Sequence, residues 1–279
     1  MEENKRRLID EAIFYEPVKN TFRLAWEFII LNRQFTLIAM GMFFILSILS
    51  AFLGLIAMIF SGILSMAIQI YISKLIYETE NINTFIDEIQ KSKLENIFSK
   101  HIFVAMGAYL GTIFLFLMLS FLISFVIKSM GIDLVSVLAY FFDFNTDTLG
   151  VELQQVTPSE VTQFLQVFVF PLFIGFLWMS YIHPLVESNI ARSSNFKEGY
   201  RAIFTFFSLN LWKKALQANY FKYIFSLLFI VVLGLLFFGV ILTIPGINIL
   251  ASFVIVIVMY FYMVIMAIAS MMARRMVEE

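Results

Sequence analysis

The chain has 279 residues, of which 61% are hydrophobic and only 14% are charged, and its mean hydropathy is +0.90. Charged residues make up about 25% of ordinary soluble domains, so this composition is typical of a membrane protein. A net charge of -1 gives no reason to expect a nucleic acid partner, and the lack of cysteine excludes disulfides, thiol catalysis and cysteine-based metal sites.

Four long runs without Asp, Glu, Lys or Arg predict the membrane segments. The hydrocarbon core of a bilayer is about 30 Å thick, and a helix crosses it with about 20 apolar residues. The runs hold 40, 27, 26 and 51 residues, and they lie between Arg33 and Lys74, Lys100 and Lys128, Glu160 and Glu187, and Lys222 and Arg274. The first and the last run are too long for one span, so each is predicted to hold two.

Each long run contains a segment that favours a reversal of the chain. In the last run, IPGIN includes Pro245 and Gly246, and proline ends helices while glycine tolerates the backbone angles of a turn. In the first run the turn is predicted within LSAFLGL, near Ser50 to Gly54.

The predicted fold is therefore an all-α transmembrane helix bundle of six spans. An N-terminal segment 1–33 precedes a membrane domain 34–279, and a sizeable outer loop 128–160 separates the third span from the fourth. The spans are predicted at about residues 35–53, 55–74, 101–127, 161–186, 223–243 and 248–273.

The positions of the basic residues predict the orientation. Lys and Arg are retained in the cytoplasmic segments of inner-membrane proteins. With six spans, 18 of the 19 basic residues fall in segments on the side of both termini, and only Lys128 falls in the outer loop. The sequence therefore predicts a multi-pass protein of the bacterial inner membrane with cytoplasmic N- and C-termini.

A short amphipathic segment precedes the first, third and fifth spans. The segments begin with NTFRLAWEFI at Asn20, NTFIDEIQ at Asn83 and NFKEGYRAIF at Asn195, and each asparagine is predicted to cap a helix. We call these the elbow helices and expect them to lie in the membrane interface, the alternative being a simple cytoplasmic extension of each span. Elbow, span, turn and span then form a unit that occurs three times, which indicates a possible three-fold internal repeat.

The candidate site residues are few. SYIHPLVES places Tyr181, His183 and Glu187 at the inner end of the fourth span, where His183 and Glu187 stand four residues apart on one helical face. They form either a polar pair at an inner vestibule or an interface anchor in which Glu187 pairs with Arg192 or a neighbouring elbow. The anchor is the commoner role.

Other polar or helix-breaking residues lie within the spans. Gln69 either lines a cavity or forms a hydrogen bond to another helix. Pro171 is a candidate hinge or a structural kink. Gly107 and Gly111 have GxxxG spacing, which permits close helix packing within the bundle or between two copies.

No catalytic, cofactor or metal motif is present. HExxH, GxSxG and a phosphate-binding glycine loop are absent, and the two histidines are too few for a multi-histidine metal site. We therefore predict no cofactor and no metal, and we predict no catalytic residues.

The segments NTFRLAWEFI and ILTIPGINIL, with the order of elbow and span, are similar to those of a group of bacterial six-span inner-membrane proteins. The group includes the membrane-domain type found beside glycerophosphodiester phosphodiesterases. The resemblance implies a helical membrane bundle and supplies no catalytic residues.

Three functions stay open from the sequence. The first is a non-enzymatic accessory, scaffold or lipid-contacting protein of the envelope, whose partners are membrane lipids and a membrane protein or a second copy of the chain. The second is a permease-like transporter of an uncharged or amphipathic solute. The third is an enzyme acting on lipid headgroups, and it ranks last because no paired acid and base are evident.

Overall fold

A computed structural model describes residues 8–129, 170–242 and 251–278. These residues are helical and contain no β-strand, which confirms the all-α prediction for this part of the chain. The IPGIN turn and most of the outer loop lie outside the described residues. The described helices are α1 (Leu8–Phe14), α2 (Pro17–Leu31), α3 (Arg33–Leu53), α4 (Leu55–Glu78), α5 (Ile82–Gln90), α6 (Leu94–Lys100), α7 (Ile102–Ser129), α8 (Phe170–Ala191), α9 (Phe196–Ile203), a 3-10 turn (Phe204–Phe207), α10 (Leu209–Ala215), α11 (Ala218–Leu242) and α12 (Ala251–Glu278).

Five of these helices are long and apolar enough to cross a membrane. The segments are Arg33–Leu53, Leu55–Glu78, Ile102–Leu122, Ala218–Gly239 and Phe253–Glu278. Residues 170–186 of the predicted fourth span belong to α8, which is not among the five. The total of six spans therefore stays a prediction. The chain divides into two compact units, Met1–Thr112 with Tyr181–Glu279, and Ile113–Ser180.

The break between α3 and α4 is a single residue, Gly54. Its backbone has φ 50° and ψ −121°, and glycine reaches this left-handed region without a steric penalty. It lies inside the segment in which the sequence predicts the first turn. The ring of Phe35 at the start of α3 stacks on that of Tyr71 in the later part of α4 at 5.8 Å, so the two helices are antiparallel neighbours.

The helix caps agree with the sequence at one of three predicted positions. Asn195 caps α9, because its side-chain oxygen accepts a hydrogen bond from the backbone N–H of Glu198 at 3.0 Å. The prediction for Asn83 is wrong: Asn81 caps α5 two residues earlier, in a capping box with Thr84. The prediction for Asn20 is also wrong, because α2 begins at Pro17 and Asn20 lies in its second turn.

The third elbow is not one continuous helix. The 3-10 turn and Ser208 interrupt it between α9 and α10, and the backbone N–H of Ser208 donates to the carbonyl of Thr205 at 2.8 Å. In the second elbow, Phe85 and Ile89 on the apolar face of α5 are fully buried. That face packs on α2 and α4 within the first unit.

α12 is the central helix of the first unit, with contacts to α1, α2, α3, α4 and α11. Buried polar side chains connect it to its neighbours. The hydroxyls of Thr21 on α2 and Tyr223 on α11 are 2.7 Å apart, and Thr21 donates to the sulfur of Met272 at 3.0 Å. Ser73 on α4 donates to the carbonyl of Ala267 at 3.0 Å. Such hydrogen bonds between helices are effective where surrounding water is scarce.

Ion pairs join α12 to α1 and to Arg192, which follows α8. Arg275 on α12 pairs with Asp10 on α1 at 2.7 Å, and Glu278 pairs with Arg192 at 2.9 Å. Both described termini therefore lie together. We call this the terminal end of the first unit, meaning α1, α2, α5, α6 and α9, the last turns of α4 and α12, and the first turns of α3 and α7. The turn end is Gly54 with the adjoining turns of α3 and α4.

Candidate functional site

The predicted pair His183 and Glu187 lies on α8 in the first unit. His183 Nδ1 is 3.8 Å from Glu187 Oε2, one helical turn away. The imidazole is exposed, whereas the Glu187 side chain is only 6% exposed. The structure thus brings the pair together, with the carboxyl facing the protein and the imidazole facing outwards.

Glu187 is unusual because neither carboxyl oxygen has a hydrogen-bond partner among the described residues. The predicted pair with Arg192 is wrong, since Arg192 binds Glu278 instead. Tyr262 on α12 lies within electrostatic range of the carboxyl. A buried polar group without a partner carries a desolvation cost of about 1–3 kcal/mol, so a ligand group or a proton would stabilise this carboxyl.

Tyr181 takes part in packing near this pair. Its hydroxyl donates to the carbonyl of Ala215, and its own carbonyl accepts from the Tyr220 hydroxyl at 2.5 Å. The rings of Tyr181 and Tyr220 meet edge to face at 5.2 Å. Tyr181 therefore connects α8 to α10 and α11.

Gln69 and Pro171 are not brought together with this pair by any described contact. Gln69 is half-buried on α4. Pro171 is the second described residue of α8, and the residues before it lie outside the described part. The hinge stays a prediction, because a bend requires helix on both sides of the proline.

Gly107 and Gly111 lie against an elbow helix. A Cβ at Gly107 would stand 2.1 Å from the carbonyl oxygen of Phe196, and one at Gly111 would stand 2.9 Å from that of Tyr200. On the facing helix, a Cβ at Gly199 would stand 2.4 Å from the carbonyl oxygen of Val104. The GxxxG face of α7 is therefore covered by α9 of the same chain.

The terminal end also contains a polar cavity of about 680 Å³. This volume is within the roughly 300–1,000 Å³ of small-molecule sites. Most of its lining comes from α4, α5, α6 and the residues next to them. The lining side chains are Tyr71, Lys74, Leu75, Glu78, Thr79, Glu80, Thr84, Glu88, Asn96, Lys100, His101 and Ser194.

His101 is the most enclosed ionisable group of the cavity, with 7% of its surface exposed. Its ring lies 5.7 Å from that of Tyr71, and its Nδ1 has no hydrogen-bond partner among the described residues. Burial, followed by the positive charges of Lys74 and Lys100, lowers the pKa of His101 to about 4. The imidazole is therefore neutral at neutral pH.

Lys74 is held in place by a hydrogen bond to the backbone. Its Nζ donates to the carbonyl of Ser193 at 3.3 Å, while Glu78 follows one turn later on α4. Glu88 pairs with Lys91 at 3.5 Å. The lining of the cavity therefore contains both basic and acidic side chains.

Sequence reasoning missed this cavity. It assigned Lys74 and Lys100 to orientation only and considered His101 only as a metal ligand. In the described ranges, no group of three or more His, Asp or Glu side chains is placed to hold a metal ion. The available signal was the pattern K-x-x-x-E at the end of one span and K-H at the start of the next.

Among the described residues, five helices are long and apolar enough to cross a membrane, which indicates a helical membrane protein. No family model matches the chain, and no curated protein and no solved structure has a significant match to it.

Proposed function

We propose that the chain is a six-span protein of the bacterial inner membrane with both termini in the cytoplasm. In this proposal it acts without catalysis, through contacts with lipids, as an accessory or scaffold in the envelope. The observation that carries the proposal is the exposure of large apolar side chains along the candidate spans. Phe52, Leu55, Phe116 and Leu236, for example, are 81%, 71%, 62% and 63% exposed.

Surfaces of this kind are stable only in contact with hydrocarbon or with another apolar surface. The polar cavity supports the lipid-contacting role, because it lies where α4 ends and α7 begins. A helix needs about 20 residues to cross the hydrocarbon core, and Lys74 is residue 20 of α4. If α4 crosses the membrane from its first residue, the cavity therefore lies at the depth of the lipid headgroups.

The test is native mass spectrometry of the full chain, extracted with its surrounding lipid and without delipidation. We expect the chain to retain lipid, either alone or with a membrane protein at fixed stoichiometry. Release of a lipid-free single chain under gentle activation would contradict the proposal. Cysteine labelling at introduced Glu279→Cys and Phe52→Cys, from each side of the membrane, tests the orientation.

A permease-like transporter is the second candidate, and Glu187 is the observation that favours it. Ionisable groups buried in or beside spans commonly mark solute paths. A buried carboxyl without a hydrogen-bond partner among the described residues fits an amphipathic solute with a cationic group. We expect wild-type liposomes to take up ethidium as a probe, and Glu187→Gln to abolish the uptake. Glu95→Gln, an exposed acid on α6, is the matched control, and uptake no faster than in empty liposomes would exclude this path for the probe.

A further inference from the structure

The polar cavity at the terminal end has the chemistry of a binding site for a zwitterion. Lys74 and Lys100 both act electrostatically on His101, so these three groups share one part of the cavity. Three carboxylates, those of Glu78, Glu80 and Glu88, also line it. A purely anionic ligand would face the carboxylates, and a purely cationic ligand would face the lysines. A ligand that carries one negative and one positive group can pair the negative group with the lysines and the positive group with the carboxylates.

The unsatisfied imidazole indicates a ligand in the basic part of the cavity. His101 Nδ1 is buried and has no partner among the described residues, although the residue lines an open cavity. A buried polar atom of this kind is normally hydrogen-bonded. The neutral tautomer that carries its hydrogen on Nδ1 can donate to a phosphate oxygen, and the ammonium groups of Lys74 and Lys100 can pair with the same phosphate.

The cationic end of the ligand is a primary ammonium rather than a quaternary one. Quaternary ammonium groups are held by several aromatic faces. Among the described residues, Tyr71 is the only Phe, Tyr or Trp side chain that lines this cavity, whereas three carboxylates line it. A primary ammonium donates hydrogen bonds to carboxylates, which the quaternary group cannot do.

We propose that this cavity binds a phosphodiester joined to a primary ammonium group, as in the headgroup of an ethanolamine phospholipid. Lys74, Lys100 and His101 hold the phosphate, and Glu78 with its neighbouring carboxylates holds the ammonium. This deepens the lipid-contacting role proposed above and rests on it for the source of the ligand. A water-soluble glycerophosphoethanolamine offers the same groups.

The experiment measures lipid binding to the full chain by native mass spectrometry after exchange into mixed micelles. The micelles contain phosphatidylethanolamine, phosphatidylcholine or phosphatidylglycerol with identical acyl chains. We expect phosphatidylethanolamine to bind at least about tenfold more tightly than phosphatidylcholine, a difference of about 1.4 kcal/mol. Equal binding of these two lipids would overturn the proposal.

Two pairs of variants test the two ends of the ligand. Lys100→Gln is compared with Lys93→Gln, because both lysines are exposed at the ends of α6, Lys93 immediately before its first residue and Lys100 as its last, but only Lys100 lines the cavity. We expect Lys100→Gln to weaken phosphatidylethanolamine binding about tenfold, equivalent to about 1.4 kcal/mol, and Lys93→Gln to leave it unchanged. Equal losses in both variants would show attraction by general surface charge and would overturn the proposal.

Glu78→Gln tests the carboxylate end against Glu95→Gln, an exposed acid outside the cavity lining. We expect Glu78→Gln to shift the preference from phosphatidylethanolamine towards the anionic phosphatidylglycerol, and Glu95→Gln to have no effect. An unchanged preference in Glu78→Gln would overturn the zwitterion assignment. Thermal unfolding of each variant verifies that it is folded.

A competition with soluble glycerophosphoethanolamine distinguishes the two sources. Binding of phosphatidylethanolamine that the soluble compound displaces only weakly supports a lipid ligand. If the soluble compound binds whereas the lipid does not, and Lys100→Gln abolishes that binding, the same groups of the cavity bind a soluble ligand. If the chain retains lipids without headgroup preference, this inference fails while the proposed function stands, and if it retains none, both fail.

Discussion

The two ends of the first compact unit use their apolar side chains in opposite ways. At the terminal end, Phe28 and Phe35 are 0% and 2% exposed and meet edge to face at 5.8 Å. At the turn end, Phe52 and Leu55 are 81% and 71% exposed on either side of Gly54. The same residue types therefore form a protein core at one end and an outward surface at the other.

The difference follows from what each environment contributes. Lipid tails are as apolar as leucine, so helices in a bilayer associate through close packing and hydrogen bonds rather than through exclusion of water. The terminal end has both, as in the hydrogen bond from Thr21 to Met272 and the contact of Gly107 with Phe196. We therefore expect substitutions at the terminal end to determine stability and those at the turn end to have little effect.

The largest expected effect is at Phe28. Phe28→Ala removes a fully buried ring and leaves a cavity, so we expect a loss of about 3–5 kcal/mol in the free energy of unfolding. Phe52→Ala at the turn end should change it by no more than about 0.5 kcal/mol. Reversible unfolding in mild detergent by added SDS measures both. Similar losses in the two variants would show that the turn end is also enclosed by protein.

The second test compares two helical glycines. In Gly107→Ala the new Cβ meets the Phe196 backbone at 2.1 Å, so α7 and α9 must separate, and we expect a loss of about 1–3 kcal/mol. At Gly41 on α3 nothing lies within 4 Å of the Cβ position. Gly41→Ala should therefore be neutral or slightly stabilising. The same SDS titration applies, and a destabilised Gly41→Ala would indicate a contact with a second chain.

The sequence predicts much of the helical architecture because hydrophobic length and turn residues are local signals. Gly54 lies in the predicted turn, and Asn195 caps α9 through a hydrogen bond three residues along the chain. Local signals fail where two candidates compete. Asn81 and Asn83 both stand near the start of α5, and the cap belongs to Asn81, whose partner Thr84 completes the box. At α2 the stronger signal was Pro17, since proline favours the first turn of a helix.

The candidate site was less predictable because it depends on contacts between distant segments. The spacing of His183 and Glu187 places them on one helical face, but it does not reveal that Arg192 binds Glu278, 86 residues further along the chain. The cavity likewise joins the end of α4, the start of α7 and Ser194. The packing of α5 and α6 against α4, with the hydrogen bond from Lys74 to the carbonyl of Ser193, brings these residues together.

The third test concerns the ion pair that closes the terminal end. Arg275→Gln removes the 2.7 Å contact with Asp10, in which both side chains are partly buried. We expect a loss of about 1.5 kcal/mol, as for hydrogen bonds to charged groups. The exposed pair of Lys19 and Glu16, also at 2.7 Å, is the control, and Lys19→Gln should cost about 0–0.5 kcal/mol. Equal costs would show that burial does not distinguish the two pairs.

The smallest effect is a pH dependence that arises at the terminal end. His101 has a pKa of about 4 in the folded chain, against 6.5 for an unperturbed histidine. Between these values the unfolded chain binds more protons than the folded chain, so stability falls as the pH is lowered from 6.5 towards 4. With allowance for solvent screening, we expect a loss on the order of 1 kcal/mol between pH 7 and pH 5.

The variant His101→Phe isolates this contribution. It keeps an aromatic ring beside Tyr71 but cannot titrate, so its stability should fall less than that of the wild type between pH 7 and pH 5. The difference between the two slopes in SDS titrations at several pH values measures the contribution of His101. Parallel slopes would show that the imidazole is equally easy to protonate in the folded and unfolded chains, and thus that water reaches it at the terminal end as freely as it reaches an exposed histidine.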